Sequence, residues 1–211
     1  DILDGFEISY YESGKVKTRI FHKNGKPQGE GLSFYESSKL KEKGYYKDGI
    51  LDGQYIMYYE DGKLQEVYNY IAGILNGEYK LYYENGKLQF IGDYKYGEQN
   101  GLWKIYYENG NIKNIANYDY GKLVGLVRNY EEDGKFSSTT YYEKGSNLTK
   151  WQFLYKDGKS IKKEGMAYDM GEEAKKRWIA TGEWKYYSKA GKLQKIETYE
   201  NGEIIKVEKF K

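Results

Sequence analysis

Apolar and polar residues alternate in a pattern that recurs every 24 residues. It is cleanest over residues 77–100, GEYKLYYENGKLQFIGDYKYGEQN, and again over 101–124, GLWKIYYENGNIKNIANYDYGKLV. With the opening glycine as position zero, openers stand at Gly5, Gly29, Gly53, Gly77, Gly101 and Gly125; Thr149 holds the next place and Gly182 the last. Six spacings are 24 and the seventh is 33, and a fixed period of this size marks a repeat array. Within a repeat, GEYKLYYE alternates with period two through Tyr79, Leu81 and Tyr83, as a strand with one buried face does. Asn85-Gly86 follows, a pair suited to a two-residue type I′ turn because both residues need φ > 0. Glycine recurs at this ninth position in seven repeats, with Ser38 the exception. Residues 87–94, KLQFIGDY, read as the return strand, and a second glycine turn closes each repeat at Gly25, Gly49, Gly73, Gly97, Gly121, Gly145, Gly171 and Gly202. The pattern predicts an all-β chain, an elongated single-layer antiparallel sheet of eight hairpins at residues 5–28, 29–52, 53–76, 77–100, 101–124, 125–148, 149–181 and 182–205. No break in composition separates them, so 1–211 reads as a single repeat domain.

A two-residue loop fixes register, and register fixes faces. It sets Glu84 opposite Lys87, Tyr83 opposite Leu88, Leu81 opposite Phe90 and Tyr79 opposite Gly92. One face then carries Tyr79, Leu81, Tyr83, Leu88, Phe90 and Tyr94, and in the following repeat Trp103, Ile105, Tyr107, Ile112 and Tyr118. Tyr79 across from Gly92 and Trp103 across from Ala116 are rings placed to cover residues too small to cover themselves. The other face is thinner, with Tyr82 and Ile91 among Lys80, Gln89 and Asp93.

Gly77, Tyr79, Tyr82, Tyr83, Asn85, Gly86, Lys87, Tyr94 and Gly97 spell G-x-[YW]-x-x-Y-Y-x-N-G-K followed by Y-x-x-G. This resembles the MORN repeat, and more closely its bacterial variant. The resemblance spans nearly the whole chain and implies rows of hairpins in one elongated sheet. It also implies a scaffold or binding platform, with lipid binding in some members and an antitoxin role in toxin–antitoxin pairs for the bacterial variant. The chain departs from the pattern in a degraded repeat after Thr149 and a surplus before Gly182.

The chain has 211 residues, 27 of them tyrosine and 18% aromatic, at a mean hydropathy of −0.93. Burial therefore has to come from ring ladders between neighbouring repeats rather than from a thick aliphatic core. The 34 basic and 32 acidic residues are interspersed and sum to +2, which gives no long-range pull on nucleic acid. The absence of cysteine excludes disulfides and thiol chemistry. No apolar run approaches the ~18 residues of a transmembrane helix. The start at Asp1 fits either a removed signal peptide or a trimmed chain, and with the resemblance it tilts the expected location toward a secreted or cell-envelope bacterial protein.

His22 is the sole histidine. One imidazole without cysteine builds no zinc site, and its seventeenth position is tyrosine in later repeats (Tyr46, Tyr70, Tyr94, Tyr118, Tyr142), so it reads as a terminal-repeat variant. No serine stands in a nucleophile elbow, and the glycines belong to turns, not to a phosphate loop. No catalytic residue, metal ligand or cofactor site is assigned, and the expectation is a protein that is not an enzyme. Lysine recurs at position ten and glutamate at position seven. Paired across the turn they make a self-neutralised rim, which weakens the case for phospholipid headgroups.

The aromatic face is the candidate site, and the residues singled out on it are Tyr55, Tyr79, Trp103, Tyr107, Trp151, Trp178 and Trp184. A single-layer sheet has no second layer to cover such rings. Exposed aromatic surface of that extent marks binding, and Tyr and Trp anchor interfaces. A protein partner is expected, with a lipid or glycan as the alternative on the same face. The nine surplus residues lie within 160–181, and EEAKKR at 172–177, acids first and bases last, predicts a short helical turn or a protruding loop near 165–181. Met166, Met170 and Trp178 make that segment either a cap on the last repeats or a contact.

Overall fold

The computed structural model describes residues 3–155, 157, 159–170 and 178–211. Contacts divide the chain into two compact units, Asp1–Gly110 and Asn111–Lys211. The first holds β1 (Gly5–Tyr10), β2 (Val16–Lys23), β3 (Lys26–Phe34), β4 (Leu40–Lys47), β5 (Ile50–Tyr58), β6 (Leu64–Ile71), β7 (Ile74–Leu75), β8 (Gly77–Tyr82), β9 (Leu88–Lys95) and β10 (Glu98–Tyr106). Consecutive strands pair antiparallel, with β7 and β8 following one another along β6. The second holds β11 (Ile112–Asp119), β12 (Lys122–Tyr130), β13 (Phe136–Tyr142), β14 (Leu148–Leu154), β15 (Ile161–Asp169), β16 (Trp178–Tyr187), β17 (Leu193–Glu200) and β18 (Glu203–Lys209), again antiparallel in sequence order. There is no helix among the described residues. The all-β hairpin repeat read from the 24-residue period is the fold of each unit.

The two glycine turns exchange the roles expected of them. The two-residue turn with both residues at positive φ lies at the end of the repeat, as at Tyr96 (φ 52) and Gly97 (φ 84), between the paired Lys95 and Glu98. At Asn85-Gly86 only the glycine is left-handed, at φ 83. Its N–H donates to Tyr83 O at 2.8 Å, and Tyr83 N–H donates to Lys87 O at 2.9 Å. This is a three-residue loop closed by a glycine bulge. The asparagine does another job: Asn85 Oδ1 accepts from Lys87 N–H at 2.9 Å, as Asp61 Oδ1 does from Lys63 N–H at 2.9 Å. The side chain thus mimics a turn carbonyl two residues on, and the left-handed position falls to Gly86. The bulge shifts the register, so Leu88 pairs with Tyr82 rather than Tyr83, while Tyr79–Gly92 and Leu81–Phe90 stand as expected.

The opening glycine lies inside a strand. β10 starts at Glu98 and runs through Gly101. Between the pairs Asn100–Asp93 and Lys104–Ile91, β10 advances four residues to the two of β9, and the bulge takes up the excess at the opener. Its other side faces the ring of position seventeen: Gly29 pairs with Tyr46, Gly53 with Tyr70, Gly77 with Tyr94, Gly125 with Tyr142 and Gly182 with Tyr199. A φ of 104° at Gly77 is open to glycine at little cost and to few other residues.

Of the segment expected as a short helical turn or loop over 165–181, only the flanks are described. Met166 pairs with Thr181, Ala167 with Ala180, Tyr168 with Ile179 and Asp169 with Trp178, so both flanks of the segment are strand. In the fourth repeat three pairs, Asp93–Asn100 to Lys95–Glu98, enclose a two-residue turn; here four pairs are formed, so the pairing gains one step and most of the surplus falls between Asp169 and Trp178. Apolar Trp178, Ile179 and Ala180 alternate with their partners across β15, and that pairing continues the ladder. Residues 171–177, which carry the helical expectation, lie outside the described residues, as does Gly158.

Candidate functional site: the aromatic face

In the first unit the rings of successive repeats touch in a continuous chain. Tyr55 lies 6.4 Å from both Tyr68 and Tyr70. Tyr68 is 5.2 Å from Tyr79, and Tyr79 is 5.6 Å from Tyr94 and 5.7 Å from Trp103. Tyr94 meets Trp103 edge-on at 5.3 Å. These spacings lie in the range where edge-to-face and offset rings attract. Trp103 is 4% exposed, and its ring covers Gly92, where an added Cβ would come within 2.2 Å of Trp103 Cδ2. Its Nε1–H donates to Asp93 O at 3.2 Å. Tyr55, Tyr68, Tyr70, Tyr79 and Tyr94 keep partly exposed surfaces.

Carboxylates lie among these rings, and the sequence reading passed over them. Tyr55 Oη donates to Glu42 at 2.8 Å and Tyr79 Oη to Glu66 at 2.7 Å. Burial, then the bond to the carboxylate, pushes the Tyr55 and Tyr79 phenols well above their ordinary range. In the second unit Glu164 accepts from Tyr187 at 2.7 Å, which with burial moves that phenol up to about 12. Glu197, 9% exposed, accepts from Lys195, Tyr186 and Tyr199 and is held down at about 2, chiefly by the lysine and then by Tyr186. The signal was available. Glu42 and Glu66 occupy position thirteen, the place of Phe90, and Phe90 had been placed on the aromatic face.

Two series of side chains act as staples between repeats. Tyr11, Tyr35, Tyr59 and Tyr83 at position six each donate from Oη to the carbonyl 23 residues on, at 2.6–2.8 Å. Tyr155 does the same across the longer seventh repeat, to Tyr187 O at 2.7 Å. Tyr107 occupies this position too. The position-ten lysines reach the next turn: Lys15 donates to Glu36 O, Lys63 to Glu84 O and Lys87 to Asn109 O, at 2.8–2.9 Å. Lys63 also pairs with Asp61 at 2.6 Å. The Glu–Lys rim expected from a two-residue turn is thus replaced by lysines held on backbone carbonyls, because the glycine bulge moves Lys87 away from Glu84.

In the second unit Trp184 is 8% exposed and covers Gly165 as Trp103 covers Gly92, with Nε1–H donating to Met166 O at 2.9 Å. Trp151 stacks on Phe153 at 5.6 Å and meets Trp178 edge-on at 4.8 Å. Trp178 also contacts Tyr142 at 6.1 Å. Ala167 stands where other repeats have a position-seventeen tyrosine, and Trp178 supplies a ring beside Trp151 from the lengthened hairpin.

One place on the face of the first unit has no ring. Ile20, Gly31, Gly44 and Tyr55 pair in a row across β2 to β5, and beside it Thr18, Ser33, Glu42 and Met57 form the adjacent row. Position two is aromatic in Tyr55, Tyr79, Trp103, Trp151 and Trp184; it is Glu7 in the first repeat and Val127 in the sixth, and only in the second, at Gly31, does it carry no side chain. Two glycines paired side by side leave a hollow of about 110 Å³, lined by Thr18, Ile20, Gly31, Ser33, Glu42 and Tyr46 with Tyr55 at its border. Ser33 Oγ is buried there and has no hydrogen-bond partner among the described residues.

Residues 3–24, 27–48, 51–72, 75–96, 99–120 and 180–205 match the family model described as MORN repeat variant. The unmatched stretch, 121–179, holds the repeats where Val127, Asn129, Glu131 and Thr149 replace motif residues. No curated protein matches the chain. A solved structure, the crystal structure of TcdB2-TccC3-Cdc42, matches at 11% identity and a TM-score of 0.21 over 92% of this chain, which spans 17% of the length of that one. A likeness so slight bears on neither shape nor partner.

Proposed function

The chain belongs to the MORN repeat variant family, and from that premise we propose that it is a non-enzymatic scaffold that binds another protein through the aromatic face. The observation that supports this is the ladder from Tyr55 to Tyr94, five rings that touch one another and still keep exposed surface. Rings already ordered by neighbours and by Glu42 and Glu66 lose little conformational freedom on contact, which is what makes tyrosine an effective anchor. Trp103 serves by supporting this surface against Tyr79 and Tyr94. An antitoxin or immunity factor in a bacterium, or a secreted interaction factor, is the form of this function that the family resemblance favours.

The alternative occupant is a lipid or glycan surface. Lys15, Lys63 and Lys87 are engaged on turn carbonyls, which leaves them poorly placed as a headgroup patch. Site-directed photo-crosslinking tests the reading. A benzophenone side chain at Tyr70, on the ladder, should capture a discrete protein in the source cell, and one at Lys80, on the opposite face, should not. Equal capture from both positions, or no protein adduct together with saturable binding to liposomes or a glycan array, overturns it.

A further inference from the structure

We propose that the hollow beside Gly31 and Gly44 takes the side chain of a lysine presented by the partner protein, with its ammonium on Glu42 and its methylenes between Ile20, Tyr46 and Tyr55. The inference rests on the protein-binding reading above and gives it a chemistry.

The floor is backbone, because Gly31 and Gly44 pair directly. A Cβ on Gly31 would lie 2.7 Å from Tyr46 Cε2, and one on Gly44 would lie 2.8 Å from Tyr55 Cδ2, so ring edges stand close over both glycines. These walls are apolar and narrow. At one end the adjacent row supplies polar groups in register, Thr18 beside Ser33 and Ser33 beside Glu42. Thr18 Oγ1 is already bonded to Ser9 Oγ at 2.5 Å. Glu42 gives one oxygen to Tyr55 Oη at 2.8 Å, and its other oxygen lies 3.7 Å from Lys41 Nζ, so the carboxylate keeps acceptor capacity toward the hollow.

The occupant that satisfies all of this has a slim apolar stem and a cationic head with several donors. An anion is turned away by Glu42. A hollow of about 110 Å³, open on one side, has room for the outer part of a lysine side chain. Lysine also buries its stem against apolar walls while its head stays hydrogen-bonded.

The test titrates the full chain with Nα-acetyl-lysine methylamide and follows the backbone amide signals of Gly31 and Gly44. Saturable shifts at these two glycines are expected, with none from the norleucine counterpart, which has the stem and lacks the charge. Glu42→Gln should weaken binding about tenfold or more, the loss of a charge-assisted contact, and Gly31→Leu should abolish it by filling the space. Equal shifts from norleucine, indifference to Glu42→Gln, or silent glycines, as for a hollow that holds only water, overturn the assignment. Stronger binding of the arginine counterpart does so as well. Photo-crosslinking from Tyr70 in the same protein separates this failure from that of the parent reading. Adducts without a response to the lysine probe leave the protein-binding face standing and remove the lysine; loss of both removes the face itself.

Discussion

Two stretches of one aromatic face, both in the first unit, differ by a single ring. In each, a glycine of position fifteen lies under the aromatic of position two from the following repeat: Gly92 under Trp103, and Gly44 under Tyr55. The strand before that glycine carries Tyr79 in one case and Gly31 in the other. With Tyr79 present, the ladder closes through Tyr68, Tyr94 and Trp103. With Gly31 there, the same register leaves a hollow and an unpartnered serine hydroxyl. An array that holds itself together ring on ring opens a hollow where one ring is left out, and the backbone pairing is unchanged.

The largest expected effects come from breaking the closed stretch. Trp103→Ala should cost about 3–5 kcal/mol in urea denaturation, the range for truncating a fully buried large ring. A loss below about 1 kcal/mol would show that the ring is not core. Gly92→Ala forces a methyl group to 2.2 Å from the indole and should cost about 1–3 kcal/mol by overpacking. The matching change in the open stretch, Gly31→Ala, should cost less, because its Cβ meets only the edge of the Tyr46 ring, at 2.7 Å, and not the body of an indole. If both glycine replacements destabilise equally, the hollow is not open space and the contrast between the stretches fails.

The contrast was half legible in the sequence. The 24-residue period and the strand alternation follow from residue types alone, and the replacement of an aromatic by Gly31 is visible by aligning repeats. Which ring covers which glycine was not. The expected cover was the ring paired directly across, Tyr79 for Gly92. The ring found over Gly92 is Trp103, from the strand on the other side, because the bulge at Gly101 carries it there. The same cause hid the turn types: an Asn-Gly pair fits both a two-residue turn and a bulged loop, and the choice rests on whether Asn85 Oδ1 caps Lys87 N–H. Trp178 was legible as a candidate ring but not its place beside Trp151 and Tyr142, which the pairing of β15 with β16 sets. The carboxylates Glu42 and Glu66 were legible by position and were passed over because charged residues are not expected among rings.

Removing those carboxylates sharpens the comparison at intermediate size. Glu66 serves Tyr79 and also bonds Tyr68, whereas Glu42 holds Tyr55. Glu66→Ala leaves partly buried phenols without an acceptor and should cost about 1–3 kcal/mol. Glu42→Ala should cost less, since it strands one phenol beside a hollow that water can enter. Thermal melts of the two variants decide the order, and a larger loss from Glu42→Ala would mean that the hollow is the better-packed place.

The smallest effect is invisible at neutral pH and appears only in alkali. Burial, together with Glu42 or Glu66, raises the folded pKa of Tyr55 and Tyr79 above the ordinary value of 10. For an acid whose folded pKa is raised, the neutral form is the one the fold favours. Its stabilising share is therefore complete below the unfolded pKa and is lost as pH rises above 10 toward the folded value. Stability should be flat from neutrality to about pH 9 and then fall, with the phenolate absorbance of these rings arriving together with unfolding. Glu42→Gln keeps an acceptor for Tyr55 Oη and removes the charge, so it should bring Tyr55 to a lower pH and leave Tyr79 in place; Glu66→Gln should do the reverse. The two rings can be separated by replacing the other with phenylalanine in each variant. If both variants move Tyr55 and Tyr79 alike, the two stretches share one electrostatic environment, and the missing ring at Gly31 has not divided the face.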